Sequence, residues 1–450
     1  MFENKKIFIL GMARSGYEAA RVLSKRNNTI VLNDMNDKQD PQRVKELEDM
    51  GVKVVLGSHP DDLLDESFDY LIKNPGIKFD HKYLKYCGEH NIKVINEIEM
   101  AYHILPKGVK IIGITGTNGK TTTTTLIYEM LKKYYKERVH LAGNIGYPLC
   151  QIYDDIHEND IIVMEIGVPQ LHDFYDFNAD IAVLTNIYEA HLDMFGTREY
   201  YNETKKRIFM NHTKDNVAII NKGNLDAYNL TLDINSNKKY FSSSEVIDGC
   251  FIKDNAIYYY DEKIIDLKDI KLRGMHNYEN IMASIMAVKE LNVTNEDINK
   301  VLTTFMGVEH RLEYVNTVNN RTFYNDTEAT NIKCTQIALS SFEEPTIIIL
   351  GGLERGQNFN DLLPYMKNVK AILAIGQCRK RVVDFAKENN KEVFEYEHLK
   401  DATLKAYEIS QEHDVILLSP ASASWDQYKQ CEDRGAEFKN IVNNLIDNSK

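Results

Sequence analysis

At 450 residues, 43% hydrophobic and 27% charged, the chain has the length of about three domains and a composition that lets each bury a core. A formal charge of −13 argues against a nucleic-acid binder, which carries a basic excess. Six scattered cysteines without a C-x-x-C pair argue against a disulfide framework or a zinc site. The first apolar run, Ile7–Leu10, is too short for a signal peptide, and nothing approaches the ~20 apolar residues of a membrane span. A cytoplasmic protein with no membrane insertion and no nucleic-acid partner is expected.

In chain order, the pattern predicts a strand at Lys6–Leu10, a turn at Gly11–Gly16, a helix at Tyr17–Lys25 and a strand at Thr29–Asn33 ending on Asp34. Gly11 and Gly16 alone do not complete a dinucleotide fingerprint. A further strand, Tyr70–Lys73, runs into the turn signal Asn74-Pro75-Gly76. A second unit starts near Leu105, with strands at Val109–Thr115, Ile161–Ile166 and Ile181–Thr185 and a helix from Thr121 to Tyr134. Asn235–Asp266 reads as a small antiparallel excursion, and Tyr278–Leu291 as a long helix. The third unit, from about Gly307, carries strands at Thr322–Asn325, Thr346–Leu350, Ala371–Ile375 and Val415–Leu418 between helical patterns, and ends in a helix running to Lys450. Strands alternating with helices imply doubly wound α/β sheets whose ligands collect at the carboxyl ends of the strands.

The strongest chemical signal is Thr115-Gly116-Thr117-Asn118-Gly119-Lys120-Thr121-Thr122, set between an apolar strand and a helix. Backbone N–H groups of such a loop cradle phosphates, and the helix N-terminus adds a favourable dipole. Lys120 is expected to neutralise the β- and γ-phosphates, and the Thr121 hydroxyl to coordinate Mg²⁺. Glu165 ends the next apolar strand and is the natural acidic partner for that ion. Taken alone, His191 reads as structural and Lys205 and Lys206 as solvated helix lysines.

In order along the chain, TGTNGKTT (115–122), GNIG (143–146), TNIYEAHLD (185–193), HN (276–277), HRLE (310–313), ND-x-x-ATN (325–331), LGGLERG (350–356) and LSPASASWDQY (418–428) resemble the Mur ligases. The resemblance implies three successive α/β domains: a Rossmann-like UDP-substrate domain (1–104), a P-loop ATPase-type domain (105–307) and a Rossmann-like amino-acid domain (308–450). It implies an ATP-dependent ligase, acting as a monomer on small molecules, that joins D-glutamate to UDP-N-acetylmuramoyl-L-alanine through an acyl phosphate, with ATP as co-substrate and two Mg²⁺ sites. Alternatives are a relative using another acceptor and a non-catalytic nucleotide-binding paralogue.

Residue by residue, the resemblance assigns Lys120, His191 and Lys205 to catalysis. Thr121, Glu165, His191 and a carbamylated Lys205 become metal ligands. Gly116 to Thr122, Asn277, Asn280, Arg311 and Asp326 go to ATP, and Asp34, Asn74 and Asn144 to the UDP-substrate. Thr330, Arg355 and Ser424 surround the incoming amino acid, where a fixed cation such as Arg355 suits a carboxylate.

Three departures from the family pattern stand out. Gly167-Val168-Pro169 replaces Ser-Ser-Phe, which removes two hydroxyls and is expected to stiffen a loop. Glu328 stands for a lysine and is expected to lower affinity for an anionic amino acid. Cys431 stands for an aromatic residue.

Overall fold

The computed structural model describes residues 1–188 and 196–447. Two compact units divide it, Met1–Asp269 with His276–Thr303, and Ile270–Met275 with Thr304–Lys450. Among the described residues no helix is long and apolar enough to cross a membrane.

The first unit holds two sheets. One consists of β1 (Lys6–Leu10), β2 (Thr29–Asp34), β3 (Lys53–Leu56), β4 (Tyr70–Lys73) and β5 (Lys93–Ile95) in the order β3-β2-β1-β4-β5, all parallel. The order reverses beside β1, so Asp34 and Asn74 close the two strands that flank β1, at the crevice where such sheets take ligands. The helix after β1 is Ala13–Ser24, starting inside the expected turn. Asp34 is the reason: its carboxylate accepts the Met12 N–H at 2.6 Å, and Tyr17 N–H already donates to Met12 O at 2.7 Å.

The second sheet is β6 (Lys110–Thr115), β7 (Val139–Gly143), β8 (Ile161–Glu165), β9 (Ile181–Leu184), β10 (Val217–Asn221), β11 (Asn237–Ser242), β12 (Gly249–Lys253), β13 (Ala256–Tyr259) and β14 (Glu262–Asp266). Their order is β14-β13-β12-β11-β10-β9-β6-β8-β7. The central strands are apolar on both faces, as parallel strands between helices must be. The expected antiparallel excursion is corrected in part. β11 and β12 continue the parallel ladder, and only β13 and β14 run antiparallel. One contiguous hydrophobic core runs from Ile7 and Ile9 under the first sheet to Met164 and Leu184 under the second, which makes these two sheets one unit.

The second unit contains β15 (Glu313–Val318), β16 (Arg321–Asn325), β17 (Thr346–Gly351), β18 (Val369–Ile375), β19 (Glu392–Glu395) and β20 (Val415–Leu418), ordered β15-β16-β20-β17-β18-β19. β15, absent from the sequence expectation, pairs antiparallel with β16 at the sheet edge. Its half-exposed residues lack the continuous apolar run that marks the inner strands. The last helix, Cys431–Asp447, closes the described chain, and its expected extension to Lys450 lies outside the described residues.

Candidate active site

Thr115 ends β6, and the loop behind it is held by the end of the adjacent strand. Asn186 O accepts Thr117 N–H at 3.0 Å, its side-chain oxygen accepts Asn118 N–H at 2.9 Å, and the Thr185 hydroxyl donates to Asn118 O at 2.6 Å. The glycines are obligatory here. A Cβ on Gly116 would lie 1.9 Å from Thr185 Oγ1, and one on Gly119 would lie 2.1 Å from Asn280 Oδ1, with both backbones at positive φ. The helix Lys120–Tyr135 starts directly on this turn, presenting its N-terminus where a phosphate would sit. Thr185 and Asn186 open the TNIYEAHLD segment, yet the sequence carried no role for them, because their work is to shape a loop about 70 residues away.

Glu165 ends β8 and Asn144 follows β7, so both stand at carboxyl ends beside Thr115. The Thr121 hydroxyl donates to Glu165 Oε2 at 2.8 Å, and the Asn144 amide donates to Glu165 Oε1 at 2.9 Å. A hydroxyl and a carboxylate converging at the phosphate loop form a hard oxygen set of the kind Mg²⁺ takes alongside substrate phosphates. Lys205, on the helix Arg198–Lys206, is 1% exposed. Its Nζ donates to Gly116 O at 2.7 Å, while Lys120 Nζ donates to the same carbonyl at 3.0 Å and to Thr117 O at 3.1 Å. Burial, reinforced by the Lys120 charge, holds the Lys205 amine well below the usual lysine range. Its sequence reading as a solvated lysine is therefore corrected.

Asn277 and Asn280 are buried on the helix Met275–Lys289, with Asn280 Nδ2 donating to Asn277 Oδ1 at 3.3 Å and Asn280 lying against Gly119. This helix begins before the expected Tyr278. His191 lies outside the described residues.

The first departure has a different form from the one expected. Residues Val168–His172 make a one-turn helix with Pro169 in its first turn, where a missing N–H costs nothing. Gln170 Oε1 accepts Gly167 N–H at 2.7 Å, so the lost serines are replaced by a helix cap. Val168 is buried with Tyr201, whose hydroxyl lies 3.2 Å from Thr117 Oγ1.

In the second unit the candidate residues again gather at carboxyl ends of neighbouring strands. Asp326 and Thr330 follow β16, Ser424 follows β20 and Arg355 follows β17. Asp326 accepts Ser419 Oγ–H at 2.7 Å and Leu312 N–H at 3.1 Å, and burial pushes its carboxyl up to about 7. The Arg355 guanidinium lies 4.7 Å from the ring centroid of Trp425. Among the described residues, Ser424 Oγ is buried with no hydrogen-bond partner. The two remaining departures are neighbours: Glu328, Cys431 and Glu432 offer ligand atoms all within 4.8 Å of one another. Glu328 also lies 3.6 Å from the Arg311 guanidinium, a contact that sequence reasoning missed. Arg434, 1% exposed, was missed too. It donates through Nε to Thr327 Oγ1 at 2.9 Å and through one terminal nitrogen to Thr327 O and Ser422 O, each at 3.0 Å.

The family model of the Mur ligase middle domain matches residues 114–288, the Mur ligase glutamate ligase domain matches 310–422, and the Mur ligase MurD-like N-terminal domain matches 5–96. The chain is 44% identical over 447 residues to the UDP-N-acetylmuramoylalanine–D-glutamate ligases of Bacillus cereus (strain G9842) and Bacillus thuringiensis (strain Al Hakam), covering 99% of this chain and 99% of each relative. The chain belongs to the Mur ligase family. Among solved structures, the UDP-N-acetylmuramate-alanine ligase of Thermotoga maritima aligns with a TM-score of 0.59 at 16% identity, covering 98% of this chain and 99% of that one. E. coli FolC in complex with DHPP and ADP aligns at 0.57 and 14% identity, over 77% of this chain and 92% of that one. At these identities the two likenesses show the fold alone, which proteins with different ligands share.

Proposed function

We propose that this Mur ligase adds D-glutamate to UDP-N-acetylmuramoyl-L-alanine in the cytoplasm, as a monomer, forming a peptidoglycan precursor with release of ADP and phosphate. The observation that carries this reading is the 44% identity over 99% of both chains with relatives of that name. The geometry supports it through an intact phosphate loop with an oxygen pair, Thr121 and Glu165, beside it. We divide the chain into a UDP-substrate domain (1–104), an ATP domain (105–307) and an acceptor domain (308–450).

In this reading the alanyl carboxylate attacks the γ-phosphorus of ATP and the bond to the ADP oxygen breaks. The amine of D-glutamate then attacks the acyl carbon, loses a proton, and phosphate leaves. Gly116 to Thr122 cradle the phosphates, and Lys120 offsets charge as it builds on the phosphoryl oxygens. Asn277, Asn280, Arg311 and Asp326 hold the nucleotide, and Asp34, Asn74 and Asn144 hold the UDP-substrate. Thr330, Arg355 and Ser424 take the acceptor, with Arg355 facing a carboxylate. Two Mg²⁺, when bound through Thr121, Glu165, His191 and Lys205, supply positive charge against the repulsion between carboxylate and triphosphate. An ammonium at Lys205 would oppose them. As the neutral amine that burial favours, the same side chain adds CO₂ through a new N–C bond, loses one proton and becomes an anionic carbamate.

The test is ADP release with UDP-N-acetylmuramoyl-L-alanine and a panel of D- and L-amino acids. Release with D-glutamate is expected. Release with an L-amino acid but not D-glutamate overturns the acceptor, and no substrate-stimulated release marks a non-catalytic paralogue.

A further inference from the structure

Lys73 is the last residue of β4, directly before Asn74. Its ammonium lies 2.9 Å from Asp173 Oδ2 with side-chain exposures of 1% and 5%, and the contact is one of charge, without the angles of an aligned hydrogen bond. Asp173 follows the one-turn helix Val168–His172, which stands where the family pattern is broken. Phe79, on the turn after Asn74, sits 5.0 Å from the Lys73 ammonium and stacks on His172 at 4.1 Å, while His172 Nδ1 lies 2.7 Å from Asp173 Oδ1. Phe79 also packs against buried Val168 and Tyr201. The Tyr201 ring lies 4.8 Å from the Lys205 amine. A continuous set of contacts therefore runs from the neighbour of Asn74 to Lys205, inside the first unit.

A buried ion pair is a poor way to gain stability, since a well-packed apolar pair of the same volume does as well or better. What it fixes is register: any slip of the Asn74–Phe79 turn against the Val168–His172 helix leaves a buried charge unpaired. We propose that Lys73 and Asp173 are positioning residues, forming with Phe79 and His172 a latch that seats the uridine-end turn on the helix beside Lys205. Ordering of the UDP-substrate at Asn74 then also sets the Lys205 side chain. This inference rests on the UDP-substrate reading above.

The experiment compares Lys73→Met, Asp173→Asn and the double variant of the full chain, measuring melting midpoints and, well below the lowest of them, the KM for each substrate. Each single variant is expected to melt lower, because one charge is left buried alone, and to raise the KM for UDP-N-acetylmuramoyl-L-alanine about tenfold while moving that for D-glutamate far less. The double variant regains the wild-type midpoint, yet its KM for the UDP-substrate stays raised. If KM returns to the wild-type value along with the midpoint, or all three KM values move together, the pair is only structural and the latch is overturned. Should a single variant fail to fold, the double variant carries the test by itself. Absence of wild-type turnover with this substrate sinks the ligase reading and the latch with it, whereas turnover with unchanged variant KM values sinks the latch alone.

Discussion

The side chains that line the phosphate loop bind one another: Thr121 and Asn144 donate to Glu165, and Lys120 and Lys205 share the Gly116 carbonyl, while among the described residues the buried hydroxyls of Thr123 and Thr124, further along the helix, have no partner. The carboxyl ends of β16, β20 and β17 differ. There, among the described residues, Ser424 Oγ has no partner, one terminal nitrogen of the buried Arg434 has none, and Arg355 rests on an aromatic face without a carboxylate. Buried donors without acceptors cost a fold free energy, and in the reading proposed above these are donors that an incoming acceptor can take up. The loop is preorganised by its own contacts and must exchange them when nucleotide and metal bind. The proposed acceptor region keeps its hydrogen-bonding capacity in reserve.

The largest expected effect tests the first half of this contrast. Lys205→Ala removes a side chain that holds Gly116 O and, as a carbamate, would hold metal. It is expected to lower kcat by about a thousandfold, the scale of losing a fixed charge-stabilising group. Because the Lys120 contact to Gly116 O remains, the loop keeps its shape and the melting midpoint falls only slightly. Steady-state ADP release with a parallel thermal melt checks both; a kcat within tenfold of wild type means that Lys205 does not reach the metal.

How far this arrangement could be read from sequence follows from distance along the chain. The phosphate loop was legible because strand, glycines, lysine and helix are contiguous, and the parallel sheets because their strands are continuous apolar runs. The start of the first helix was misplaced because its trigger, Asp34, lies more than twenty residues beyond Met12. The Val168–His172 helix was mistaken for a loop because its cap is a glutamine side chain reaching back to a glycine N–H, a weak signal. Lys73 with Asp173, Glu328 with Arg311, and Arg434 with Thr327 are pairings across the fold that no local pattern carries.

A smaller effect tests the acceptor half. Glu328 lies 3.6 Å from Arg311, so part of its charge is already offset, and both side chains keep some solvent. Glu328→Lys replaces repulsion of an anionic acceptor by attraction. Solvent screening limits the gain to roughly 1 kcal/mol, about a fivefold fall in the KM for D-glutamate. The new lysine also repels Arg311, so the KM for ATP is expected to rise. An unchanged KM for D-glutamate would show that position 328 does not sense the acceptor charge.

The smallest effect is the most diagnostic of a region held in reserve. Trp425 is 65% exposed, follows Ser424 directly, and is the only tryptophan in the chain. A guanidinium over an exposed indole gains ~0.5–1 kcal/mol, which here holds Arg355 in place while leaving its N–H groups open. Trp425→Ala should therefore raise the KM for D-glutamate about two- to fivefold. Trp425→Tyr, which keeps an aromatic face, should restore most of the loss. The same geometry makes the indole a reporter: D-glutamate drawn to Arg355 changes the field over the ring, so wild-type fluorescence should shift on titration and Arg355→Met should abolish the shift. If the tyrosine variant behaves like alanine, the aromatic face is not what holds Arg355. If the shift survives in Arg355→Met, the carboxylate binds elsewhere in the acceptor region, and Ser424 with Arg434 becomes the pair to examine.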